Sequence, residues 1–125
     1  MRLIDVITDP ESLSLVFPYY PLGDLQRFID TFYPTYRCLP EYLARTIFKQ
    51  IVHTVQRFHT QRIVHRDIKL ENVLIDMAMD HSVESIRTYV SDFGLAITLD
   101  QLQYEKEYRC LGTPNYMPYE MLVKS

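Results

Sequence analysis

Between Glu41 and His59 four apolar residues, Leu43, Ile47, Ile51 and Val55, recur at every fourth position, and Ala44, Phe48, Val52 and Phe58 widen the stripe. That period belongs to an α-helix with one face made for burial. Pro40 stands just before the segment, where a helix tolerates proline because its first N–H groups have no intrahelical partner. The other signals are shorter. Leu3 to Ile7 and Leu13 to Phe17 are apolar runs separated by Thr8-Asp9-Pro10-Glu11-Ser12, a turn composition, and together read as a β-hairpin. Pro18 and Pro21 end its second strand, since neither can donate a ladder hydrogen bond. Asp24 is placed to cap a short helix running to about Asp30, and Tyr33 to Arg37 reads as loop. Ile63-Val64, Val73-Leu74-Ile75 and Thr88 to Ser91 are strand candidates, and Met77 to Arg87 a polar surface excursion.

Composition excludes several classes. The 125 residues suffice for one domain with a core of its own. A net charge of −3 offers no footprint for nucleic acid and no polybasic patch for a membrane. Asp5 interrupts the N-terminal segment before a signal-peptide core can form, and no apolar run reaches the roughly 18–20 residues that span a bilayer. Cys38 and Cys110 make neither a disulfide framework nor a metal pair, so an intracellular setting, cytoplasmic or nuclear, is expected. His53, His59 and His81 lack partners at metal-ligand spacing and read as structural or solvated. Arg45 and Lys49 read as the polar face of the long helix, and Cys110 as a packing or solvated residue.

Three motifs carry chemistry. His65-Arg66-Asp67-Ile68-Lys69-Leu70-Glu71-Asn72 is followed, twenty residues on, by Asp92-Phe93-Gly94, and then by Gly112-Thr113-Pro114-Asn115-Tyr116-Met117 with Pro118-Tyr119-Glu120 behind it. An isolated His-Arg-Asp is most simply a solvated turn. With Lys69, Asn72 and Asp92 at this order and spacing, the chain resembles the eukaryotic protein kinase family over nearly its whole length. The resemblance implies an α+β, kinase-like fold. Residues 1–23 would form the small-lobe hairpin and hinge, and residues 24–125 the first half of the mainly helical large lobe, with catalytic loop and activation segment.

By that resemblance Asp67 is the base that accepts the proton of a substrate hydroxyl, and Lys69 neutralises charge on the transferring phosphoryl group. Asn72 and Asp92 match the two Mg²⁺ ligands, both hard oxygen donors. Thr113 matches the threonine that hydrogen-bonds to base and lysine. Phe17 falls at the back of the nucleotide pocket, Tyr19 and Tyr20 in the hinge beside adenine, and Leu74 beneath it. Gly94 is expected to supply the unusual backbone angles of the turn behind Asp92. His65 and Phe93 match two members of a hydrophobic spine that Leu3 would continue. Lys69 two places after Asp67, together with Gly112-Thr113-Pro114, favours serine/threonine over tyrosine specificity. ATP, Mg²⁺ and a protein hydroxyl are thus the implied cofactors and substrate, with neither nucleic acid nor membrane as partner.

Departures from the family pattern shape a second reading. Gly23, Gly94 and Gly112 are the three glycines, so no glycine-rich loop covers the phosphates. Beyond Lys69 the lysines are Lys49, Lys106 and Lys124, none placed to be the strand lysine of the family. Glu120 stands where the family has a buried glutamate with a distant arginine partner, whose loss would cost about 3–5 kcal/mol. Arg109 occupies a place that in many relatives is a phosphorylated threonine, so Glu105 or Glu107 is expected to pair with Arg66. The stripe on the long helix is expected to be exposed and to need missing kinase segments or a partner protein as cover. These points frame the alternative: a truncated, catalytically inactive kinase-like fragment acting as a binding module.

Overall fold

The computed structural model describes residues 2–78, 82–102, 104 and 111–123. The expectations for His81, Cys110, Lys106, Lys124, Arg109, Glu105 and Glu107 fall outside the described residues.

Strands β1 (Asp5–Thr8) and β2 (Leu13–Val16) pair antiparallel, with Val6 opposite Leu15. Asp9 closes the turn by accepting from the backbone N–H groups of Glu11 and Ser12. The hairpin lies almost wholly at the surface. Helix α1 (Leu25–Phe32) begins where Asp24 accepts from the Arg27 N–H at 2.8 Å, and it runs two residues beyond the expected end. Helix α2 (Glu41–Thr60) starts directly after Pro40, whose carbonyl accepts from Leu43 and Ala44. Glu41 in its first turn and Arg57 and His59 in its last complement the helix dipole.

Among the described residues four short strands follow. Strands β3 (Ile63–Val64) and β4 (Val73–Asp76) flank the polar octet but do not pair with each other. Instead β4 pairs antiparallel with β5 (Arg87–Val90), and β3 pairs with β6 (Ile97–Thr98). Helix α3 (Leu99–Leu102) follows at once. Thr98 and Gln101 form a reciprocal capping box there, each side chain accepting from the other's backbone N–H. The short α4 (Tyr119–Leu122) comes last.

The core gathers Leu25, Phe28 and Ile29 of α1, Leu43 and Ile47 of α2, Val73 and Ile75 of β4, and Ile86. Ile86 corrects one expectation. The stretch from Met77 to Arg87 is not only a surface excursion: Ile86 is 2% exposed, Met77 and Val83 pack on the core, and Val83–Ser85 form a 3₁₀ turn capped by Ser82. Mixed polarity hid three apolar anchors with no regular spacing.

The stripe on α2 divides. Leu43 and Ile47 are buried, whereas Phe48 and Val52 are 66% and 48% exposed. Two hollows of about 580 and 700 Å³ open along this side and share Phe48 and Ile51, one reaching Leu39 and Leu70 and the other Val55 and Ile68. Among the described residues nothing covers them. Glu120 is exposed on α4, so the cost expected of a buried, unpaired carboxylate does not arise.

Candidate active site

The polar octet leaves β3 and turns sharply at Arg66, which adopts a left-handed φ of 69°. It returns through a 3₁₀ turn at Leu70–Asn72 into β4. Asn72 closes this loop on itself by donating from Nδ2 to the Asp67 carbonyl at 2.9 Å and to Asp67 Oδ2 at 3.2 Å.

Asp67 is the centre of the site and is 9% exposed. Its Oδ1 accepts from the Thr113 N–H at 2.9 Å and the Thr113 hydroxyl at 2.8 Å. Its Oδ2 accepts from Asn72 and pairs with Lys69 Nζ at 2.9 Å. Lys69 Nζ also donates to Thr113 Oγ1 at 2.8 Å, closing a triangle of carboxylate, ammonium and hydroxyl. Thr113 reaches Asp67 because Gly112, at φ 126°, lets the chain pass close to the octet; a Cβ there would lie 2.8 Å from the Arg66 carbonyl oxygen.

Charge follows this geometry. The hydrogen bond from Lys69 holds the Asp67 carboxyl below its ordinary range, against the opposing effect of burial, with Thr113 adding to the shift. The bond to Asp67 in turn raises Lys69, again against burial, and the charges of Glu71 and Asp92 reinforce it. Asp92 therefore lies within the electrostatic reach of Lys69.

The Asp92 segment is tied to the octet through its predecessor. Ser91 donates from N–H and hydroxyl to the Asn72 carbonyl, at 2.8 and 3.1 Å. Buried His65 bridges the same parts. Its Nδ1 accepts from the Asp67 N–H, which leaves Nε2 as the donor to the Ser91 carbonyl at 3.0 Å. Asp92 itself takes a left-handed φ of 59° and accepts from the Gly94 N–H at 3.2 Å. This corrects the expectation for Gly94: the unusual angle falls on Asp92, and Gly94 serves by leaving room. A Cβ there would stand 3.1 Å from Asp92 Oδ1.

Asp67, Lys69, Asn72 and Thr113 thus form one hydrogen-bonded cluster with Asp92 adjoining. The four residues expected around adenine are more scattered. Phe17 lines a hollow of about 530 Å³ with Leu3, Phe58 and Phe93. Phe93 lies 5.0 Å from His65 and 5.3 Å from Phe58 between ring centres. Tyr20 packs with its ring centre 4.8 Å from that of Tyr89, the two tilted by 35°, and Tyr89 pairs with Leu74 across β4 and β5. Tyr19 is 85% exposed.

The oxygen donors suit Mg²⁺. Asn72 spends its Nδ2 on Asp67, which leaves Oδ1 for a cation, and the exposed Asp92 carboxylate has Oδ2 beyond its bond to Gly94. Two protein oxygens are few for a closed cage but ordinary for Mg²⁺, which completes its shell with water and phosphate. Among the described residues no cluster of three His, Cys, Asp or Glu side chains offers another metal site.

With fold and site in view, the protein kinase domain family matches residues 1–125, and the chain belongs to that family. Its similarity extends to serine/threonine kinases. Serine/threonine-protein kinase ULK3 of Homo sapiens is 31% identical over 124 residues, which are 99% of this chain and 24% of that protein. The PAS domain-containing serine/threonine-protein kinase of Mus musculus is 36% identical over 124 residues, 98% of this chain and 8% of that protein. CBL-interacting protein kinase 31 of Oryza sativa subsp. japonica is 32% identical over 123 residues, covering 98% and 25% respectively. The chain spans about a quarter or less of the length of these relatives.

Sequence reading missed Ser91 and Gln50. Ser91 could have been suspected from its place beside Asp92. Gln50, which hydrogen-bonds to β5, looks like any polar residue on a helix.

Proposed function

We propose that this chain carries the catalytic centre of an ATP- and Mg²⁺-dependent kinase that phosphorylates serine or threonine hydroxyls of proteins, within a longer intracellular polypeptide. The observation that carries the reading is the Asp67 carboxylate held at once by Lys69, Thr113 and Asn72. Kept ionised, Asp67 can accept a hydrogen bond that orients a hydroxyl, and can take its proton as the new bond forms and Lys69 turns away. Four donors already share its two oxygens, about as many as they accommodate. Lys69 is the donor free to leave, because its ammonium on a flexible stem can turn from Asp67 toward phosphate oxygens. Thr113, fixed to Asp67 by backbone and hydroxyl, keeps the carboxylate aimed while Lys69 moves. Asn72 and Asp92 would hold Mg²⁺, which when bound offsets charge on the phosphates. Phe17, Tyr19, Tyr20 and Leu74 would border the adenine.

The exposed side of α2 favours residence in a larger assembly, whether the cover is further kinase segments or a partner protein. The alternative reading, an inert binding module, draws on the absence of a glycine-rich loop and strand lysine from these 125 residues. Phosphate transfer from Mg-ATP, assayed in the longer protein with serine/threonine and tyrosine peptides, separates the two. Asp67→Asn should lower transfer to the serine/threonine peptide by about 10²–10⁴-fold, the usual contribution of a positioned base. Equal, background-level rates in both proteins would leave the binding module standing.

A further inference from the structure

Strand β5 ends one residue before Ser91 and two before Asp92, and among the described residues only one of its edges meets another strand. Its other edge faces α2. There the Ile86 carbonyl and the Thr88 N–H point at a single side chain, Gln50. Gln50 Nε2 donates to the Ile86 carbonyl at 2.9 Å, and its Oε1 accepts from the Thr88 N–H, also at 2.9 Å. One carboxamide thus takes the donor and acceptor that a third strand would otherwise satisfy. Ile86 and Thr88 are both buried, so water cannot readily replace it. Asp92 needs such support. A non-glycine residue at φ 59° persists only where the structure on either side over-determines it. Gly94 and the Asn72–Ser91 bonds act from close by, and Gln50 fixes the strand that delivers them.

We propose that Gln50 is a positioning residue for the cation-binding carboxylate of Asp92, acting by clamping the free edge of β5 to α2. This rests on the kinase reading, in which Asp92 holds Mg²⁺, yet none of the chemistry assigned above uses Gln50.

The test uses the longer protein, wild type and with Gln50→Met or Gln50→Glu. Methionine keeps the shape and helix preference but loses the hydrogen bonds to Ile86 and to the Thr88 N–H and hydroxyl; glutamate keeps the acceptor for Thr88 and sets a carboxylate against the Ile86 carbonyl. Amide hydrogen exchange across residues 88–92 reads the clamp directly. Mn²⁺ titration in the presence of ATP, followed by electron paramagnetic resonance, reads the cation site without need of turnover. Faster exchange and cation binding weakened about tenfold are expected in both variants, with a matching rise in half-saturating Mg²⁺ and a peptide KM within about twofold of wild type. Unchanged Mn²⁺ affinity in both variants would overturn the proposal. So would a loss shared equally by cation, peptide and melting temperature, which marks a merely structural residue, or a wild type that binds no Mn²⁺ with ATP. A wild type that binds Mn²⁺ but transfers no phosphate sinks the proposed function alone, and the titration still decides the role of Gln50.

Discussion

Asp67 and Lys69 shift each other in opposite directions, and this has a measurable consequence for stability against pH. Asp67 is lowered from its ordinary 3.8, so its contribution is full above that value and is lost as pH falls through the lowered one. Lys69 is raised from 10.5, so its contribution is full below that value and is lost as pH rises through the raised one. The pair therefore supports the fold across the whole neutral range. We expect Lys69→Met to lower the urea midpoint at neutral pH and to flatten its decline on both the acid and the alkaline side. Midpoints measured from acid to alkaline pH in both proteins check this, and an unchanged profile would count against the pair. Both partners of this pair were legible, because motif spacing marks Asp67 and Lys69. Their shared bond to Thr113, 46 positions after Asp67, was implied only by family likeness.

At the scale of elements, short helices depend on their ends. Helix α1 has eight residues, no acidic residue in its first turn, and one side-chain cap, Asp24. Asp24 also bridges to Leu74, and the neighbouring Gly23 carbonyl accepts from the Ile75 N–H at 2.9 Å, so the cap sits where helix meets β4. Asp24→Ala should cost about 1 kcal/mol, read as a lower chemical-denaturation midpoint with an unchanged slope. The cap was visible in sequence because aspartate before a leucine-led helix is a local signal. The pairing of β3 with β6, and of β4 with β5, was not. Two- and four-residue strands carry no pattern that names a partner, and contact with the octet and α2 decides it.

For the whole molecule, the open side of α2 is the dominant feature. An apolar face holding Phe48, Val52 and Ile51 in contact with water favours self-association when the chain is isolated. Sedimentation velocity on these 125 residues alone should show concentration-dependent association, and Phe48→Glu with Val52→Glu should shift the population toward monomer without lowering the melting temperature. A clean wild-type monomer with cooperative melting would defeat the expectation. The width of the stripe was plain from residue spacing, but which flank finds a partner depends on α1 and β4 arriving beside Leu43 and Ile47.

Residue order by itself determined the long helix, the hairpin, the cap at Asp24 and the placing of Asp67, Lys69 and Asn72 in one loop, because each depends on short-range periodicity or on a contiguous motif. Tertiary structure alone decided the rest. It moved the strained angle from Gly94 to Asp92, drew Ile86 into the core, and set Gln50 against β5. Those outcomes arise from hydrogen bonds and packing between segments tens of residues apart, where no local preference specifies which groups will meet.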